Sequence, residues 1–218
     1  MSSTAPEQRA TLAGRQRHSE QLTVDAIDRV SGLFAASTQM QALAVETQAR
    51  PIARAAELIV DSVLGGGKIL GCGNARSAID ARYFALQMQH RFARERPGLP
   101  AIVLGSDAAT LSAIGNDDGY DAVFAKQVDV LGRPGDVLLT LSVGSGAANV
   151  QAAIAAASER QIDVIRLTGG ESDSTDQPFQ ADHVEIRAPS NEAVRVLENH
   201  RLVIHCLCEL IDFRLLGG

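Results

Sequence analysis

The chain has 218 residues, 45% of them apolar, and a net charge of −6, which suits one substantial α/β domain with an extension and is too little for two large domains. Without a concentrated basic patch, direct binding to duplex DNA is not expected, and no apolar run reaches the length of a bilayer span. The N-terminus lacks a signal-peptide pattern, and Cys72, Cys206 and Cys208 have neither metal nor redox spacing, so a cytoplasmic protein without metal or cofactor is expected.

Residues 1–24, rich in Ser, Thr, Gln and Arg, are expected to be a flexible or loosely helical tail, with 25–218 forming a single domain. From Val24, apolar residues recur at helical spacing through Ile27, Val30, Leu33 and Phe34. Pro51 reads as the first-turn residue of a second helix that runs to Val63 and ends at Gly65-Gly66-Gly67. Strands are then predicted at 68–72, 101–104, 137–141, 164–168 and 184–187. Helices are predicted at 77–92, 108–114, 120–131, 147–160 and 192–215. This alternation predicts an α/β fold, a doubly wound five-stranded parallel sheet with flanking helices and an N-terminal helical extension. The apolar faces of 24–64 are wide for a lone surface hairpin, and packing against another subunit is expected.

In such a sheet ligands gather beyond the carboxyl ends of the strands, where strand order reverses. Loops 73–77, 105–107 and 142–147 fall there. The first, within "GCGNARSAID", and the third, "SVGSGA", are chemically alike, and each leads into a helix whose first N–H groups can hold an anion. Either loop alone reads more readily as an ordinary turn, with Ser77 as a helix cap. Two such loops together favour a phosphosugar site built on Asn74, Ser77, Ser142 and Ser145.

The chain from about Ala26 onward resembles the SIS (sugar isomerase) family. The resemblance is carried by "GKILGCGN", "RPGLPAIVL", "AIGNDDGYDAVFAKQV", "GRPGDVLLTLS" and "CLCELID". It includes the phosphoheptose isomerases and the DiaA-type proteins that associate with the replication initiator DnaA. "AKQV…LG…GDVLL" and "CLCELID" look more like the DiaA type. The resemblance implies a homotetramer with a site at a subunit interface.

It also places the isomerase residues. Four positions that carry the catalytic and zinc-binding residues in the family are Tyr83, Gln87, Leu197 and His205 here. An amide has no basic lone pair at neutral pH, so Gln87 cannot abstract a proton, and His205 lacks partners for a metal. His205, within "VIHCL", reads as a satisfied core histidine, and as the catalytic candidate if the chain is an isomerase. Asn74, Ser77, Arg91, Asp117 and Ser142 match family positions, whereas Val143 and Ala147 replace hydroxyl donors. Arg76 could meet a phosphate, fill an empty site, or pair with an acid across an interface. The missing base points to a non-catalytic DiaA-type scaffold for the DnaA initiator, with a degenerate phosphosugar pocket. Leu215 and Leu216 are the expected partner-binding pair, or else finish the last helix against the core. The alternatives are a sedoheptulose 7-phosphate isomerase or a sugar-phosphate sensor.

Overall fold

The computed structural model describes residues 5–144, 146–170 and 183–217. Two compact units divide the chain, residues 1–42 and 43–218, and one long helix, α1 (Ala5–Leu64), contributes to both. The two helical stretches expected before Gly65 are therefore one helix, which begins upstream of Val24. Pro51 lies inside it rather than opening it. Proline removes one helical hydrogen bond, but Ala44, Gln48, Ile52, Ala56 and Val60 are buried at steps of four on either side of it. That continuous face keeps the helix in register.

The second unit then alternates as expected: β1 (Ile69–Gly73), α2 (Arg76–Gln89), β2 (Ala101–Val103), α3 (Ala108–Asp117), a 3₁₀ turn (Tyr120–Ala122), α4 (Ala125–Leu131), β3 (Val137–Leu141), α5 (Ala148–Glu159), β4 (Asp163–Gly169), β5 (Val184–Ala188) and α6 (Ala193–Leu216). The five strands form one parallel sheet in the order β2-β1-β3-β4-β5. Strands β1 and β3 are buried at every position, which explains their unbroken apolar runs. One core joins α1, α2 and α6 to one sheet face, around Ile59, Phe84, Met88, Leu139, Ile204 and Leu207. A second core fills the other face with Phe124, Val128, Val150 and Ala153. Asp136 locks the entry to the central strands. Its carboxylate accepts from the Lys68 and Arg133 backbone N–H groups at 2.9 and 2.8 Å and pairs with Lys68 Nζ at 2.6 Å.

From β1 the chain moves outward to β2, then returns to place β3 on the opposite side. The switch point lies between the carboxyl ends of β1 and β3, and the loops above them are 74–75 and 142–147. Among the described residues no helix is long and apolar enough to cross a membrane.

Candidate functional site

Strand β1 ends in a tight turn. A Cβ on Gly73 would lie 2.8 Å from the Leu141 carbonyl and 3.0 Å from Ser77 Cβ, so only glycine lets β1, β3 and α2 converge here. Ala75 follows with φ 50° and ψ −118°, a conformation that side chains disfavour. Helix α2 starts at Arg76 with Ala75 as its N-cap and no side-chain cap bond. The expected capping role of Ser77 is thus corrected: Ser77 lies inside the first turn, buried, with its N–H on the Asn74 carbonyl at 3.0 Å.

The two loops at the switch point are tied together by amides. Asn74 Nδ2 donates to Asn149 Oδ1 at 2.8 Å, and Asn149 Nδ2 returns the bond to Asn74 Oδ1 at 3.0 Å. Tyr120 Oη also donates to Asn74 Oδ1, at 3.2 Å. Across the crevice, Ser142 Oγ donates to the Gly144 carbonyl at 2.8 Å, closing the start of the second loop. Ser145 lies outside the described residues. The N-termini of α2 and α5 flank the crevice, as an anion site requires. Beside it a cleft of about 250 Å³ is lined by Asn74, Ala75, Arg82, Gly105, Tyr120 and Phe124. A wider cleft, about 720 Å³, opens at the opposite ends of the strands around Lys68 and Asp136 and contains none of the expected site residues.

Arg76 is exposed at the head of α2, and its side chain makes no hydrogen bond or ion pair among the described residues. No described bond joins the other two family positions to the crevice. Arg91, past the end of α2, pairs with Glu95. Asp117, the last residue of α3, accepts from Asn116 Nδ2 at 2.7 Å.

A polar stripe runs down α2 from Arg76 through Asp80 and Tyr83 to Gln87, at steps of four, three and four. It faces α6. Asp80, almost fully buried, pairs with Arg201, whose guanidinium lies 3.8 Å from the centre of the Tyr83 ring. One turn on, Tyr83 Oη and His205 Nε2 are 3.0 Å apart. Phe92 flanks the same imidazole, with ring centroids 5.7 Å apart. His205 is half-buried and polar-bonded, not the core histidine expected. That description fits His200, which is fully buried with Nε2 on the Thr168 carbonyl at 3.0 Å. Burial holds His200 below its ordinary range. The Cys72 and Cys208 thiols are pushed up to about 12 by burial and are inert at neutral pH.

At the other three family positions Tyr83, Gln87 and Leu197 carry a phenol, an amide and a hydrocarbon, which together with His205 make a donor set that does not fit zinc. Among the described residues no three His, Cys, Asp or Glu side chains are grouped to hold a metal ion. Sequence reasoning missed Asn149, Tyr120, Asp80 and Arg201. The spacing of Asp80, Tyr83 and Gln87 on one helical face was the available signal.

Comparison with known proteins agrees with this geometry. Residues 18–169 match the SIS domain family. A phosphoheptose isomerase from Thiobacillus denitrificans is 47% identical over 190 residues, 87% of this chain and 96% of its own. Another from Laribacter hongkongensis is 45% identical over 195 residues, 89% of this chain and 100% of its own. The solved phosphoheptose isomerase GmhA from Neisseria gonorrhoeae superposes with a TM-score of 0.79 at 40% identity, covering 85% of this chain and 97% of that one. The enzyme from Francisella tularensis gives 0.81 at 37% identity, covering 86% and 98%.

These relatives overturn the expectation of a non-catalytic DiaA-type scaffold for the initiator. Near-full-length similarity at this level is to proteins named as isomerases. The motif that suggested otherwise, "CLCELID", lies on α6 and contributes Leu207, Cys208, Ile211 and Asp212 to its buried side. The end of that helix is also unlike a matched partner-binding pair, since Leu215 packs against the core and only Leu216 is exposed.

Proposed function

Because the chain belongs to the SIS domain family, we propose that it is a sugar-phosphate isomerase of the phosphoheptose isomerase type, acting on sedoheptulose 7-phosphate. The observation that carries this reading beyond kinship is the Tyr83–His205 hydrogen bond, which supplies acid–base chemistry where Gln87 cannot. Ketose–aldose interconversion moves one proton between neighbouring carbons and one between their oxygens, with no net redox change. An imidazole can accept a proton and give it back, so His205 takes the proton from one carbon and returns it to the next. The Tyr83 hydroxyl carries a proton between the two oxygens. Along α2, Arg76 lies seven residues, or about 10 Å, from Tyr83. An extended sugar phosphate would span that interval, with its phosphate at the helix N-termini and its carbonyl end at His205.

The test is incubation with sedoheptulose 7-phosphate in D₂O, followed by NMR. Aldose formation with deuterium at the exchanged carbon, abolished by His205→Ala, is the expected result. Gln87, where the family has a proton-abstracting glutamate, favours a second reading, a sugar-phosphate sensor. Saturable binding without deuterium incorporation would establish that reading instead.

A further inference from the structure

We propose that Arg96 is a positioning residue for the Tyr83–His205 pair, acting through Asp212. The kinetic part of this proposal rests on the isomerase reading above. Arg96 belongs to the segment after α2, yet its side chain is 1% exposed and that of Asp212 is 0%. Its Nε donates to Asp212 Oδ1 on α6 at 2.5 Å. Nη2 donates to the Gln87 carbonyl at 2.9 Å, and Nη1 to those of Met88 and Pro97 at 2.9 and 3.1 Å. Gln87 and Met88 sit in the last turn of α2, where carbonyls have no helical partner. One buried guanidinium, beside the Leu99 N–H that also reaches the Met88 carbonyl at 2.8 Å, therefore caps the end of α2 and fastens it to α6.

The place of this clamp gives it a bearing on the site. Contacts between α2 and α6 step forward together: Asp80 with Arg201, Tyr83 with His205, then Gln87 and Met88 through Arg96 with Asp212. The two helices run side by side in the same direction, and two ion pairs bracket the tyrosine–histidine contact. Gln87 is about 6 Å along α2 from Tyr83, and Asp212 about 10 Å along α6 from His205. A hydrogen bond at 3.0 Å is lost if the helices separate by much more than half an ångström. The outer pair, Asp80–Arg201, is partly exposed on its arginine side, so the buried pair is the stiffer constraint. Asp212 Oδ2 has no hydrogen-bond partner among the described residues, so Arg96 alone answers that charge.

The decisive variant is Arg96→Met with Asp212→Leu, because replacing both members with apolar side chains avoids a buried lone charge. We expect it to fold, with kcat reduced about tenfold or more and KM within about twofold of wild type. The ¹⁵N shifts of the His205 imidazole should also move, as its bond to Tyr83 loosens. Wild-type kcat and unchanged His205 shifts in the folded double variant would overturn the proposal. If that variant does not fold, Arg96→Lys decides in the same way: lysine keeps the charge, yet one ammonium cannot replace the planar fork across both carbonyls. Should the wild type show no isomerase turnover, the functional reading falls. The NMR measurement still tests the clamp, since unchanged His205 shifts refute it and displaced shifts support it.

Discussion

Asn74 and Asn149 exchange hydrogen bonds in both directions across the switch point of the sheet, at 2.8 and 3.0 Å. Asn74 begins the turn after β1 and Asn149 lies in the first turn of α5, so the exchange ties together the two helix N-termini that face the crevice. Asn149 is 1% exposed, and its loss leaves the Asn74 amide short of partners. We expect Asn149→Ala to lower stability by about 1–3 kcal/mol and to weaken sugar-phosphate binding as well. Calorimetric unfolding and isothermal titration with the phosphosugar check both effects together.

Ala75 holds φ 50° where glycine is the natural occupant. Ala75→Gly removes a methyl group from a disfavoured conformation and should raise stability by about 1 kcal/mol, even though glycine ordinarily costs entropy. A lower urea midpoint for the glycine variant would show that the backbone is relaxed in solution.

Arg76 stands exposed at the first position of α2 without a partner among the described residues. If it meets the substrate phosphate, Arg76→Ala loses a charge-assisted hydrogen bond and raises KM about tenfold, with kcat nearly unchanged. Wild-type kinetics combined with a changed subunit stoichiometry would move Arg76 to an interface role.

Burial, opposed by the Thr168 hydrogen bond and the Asp80 charge, holds His200 below its ordinary value of 6.5. Its protonation is therefore favoured in the unfolded chain. The stability it contributes is complete above about pH 6.5 and falls as the pH drops from there toward the folded value. Urea midpoints between pH 7.5 and pH 5.5 should fall more steeply for wild type than for His200→Gln.

Val24, Ile27, Val30, Leu33 and Phe34 are each more than half exposed on α1. A row of this kind on one helix calls for cover, and we propose that other copies of the chain provide it in a homotetramer. Light scattering at micromolar concentration should give four times the chain mass, and Phe34→Asp should reduce it. A monomeric wild type refutes the assignment.

The sheet was legible because its central strands β1 and β3 are short apolar runs, and burial on both faces demands that pattern. The single helix α1 was not, because Pro51 is a stronger local signal than the buried row that carries the helix past it. Within the site, the crevice loops were legible from Asn74, Ser77 and Ser142. The Tyr83–His205 contact was not, since its partners are 122 positions apart and meet only when α2 and α6 pack on the same face of the sheet. A buried run such as "CLCELID" reports packing constraints, which explains why it was a poor guide to function.

The two edge strands carry a further consequence, for how the molecule survives crowding. Edge strand β2 has only three residues, Ala101–Val103, and Pro100 stands directly before it. At the other margin β5 alternates buried residues with Glu185 and Arg187, which pair with each other at 2.8 Å. A short edge beside proline and a charged edge both make poor templates for a foreign strand. Partial opening at either margin therefore exposes little that could seed aggregation, and the fully buried strands β1 and β3 stay enclosed inside the sheet.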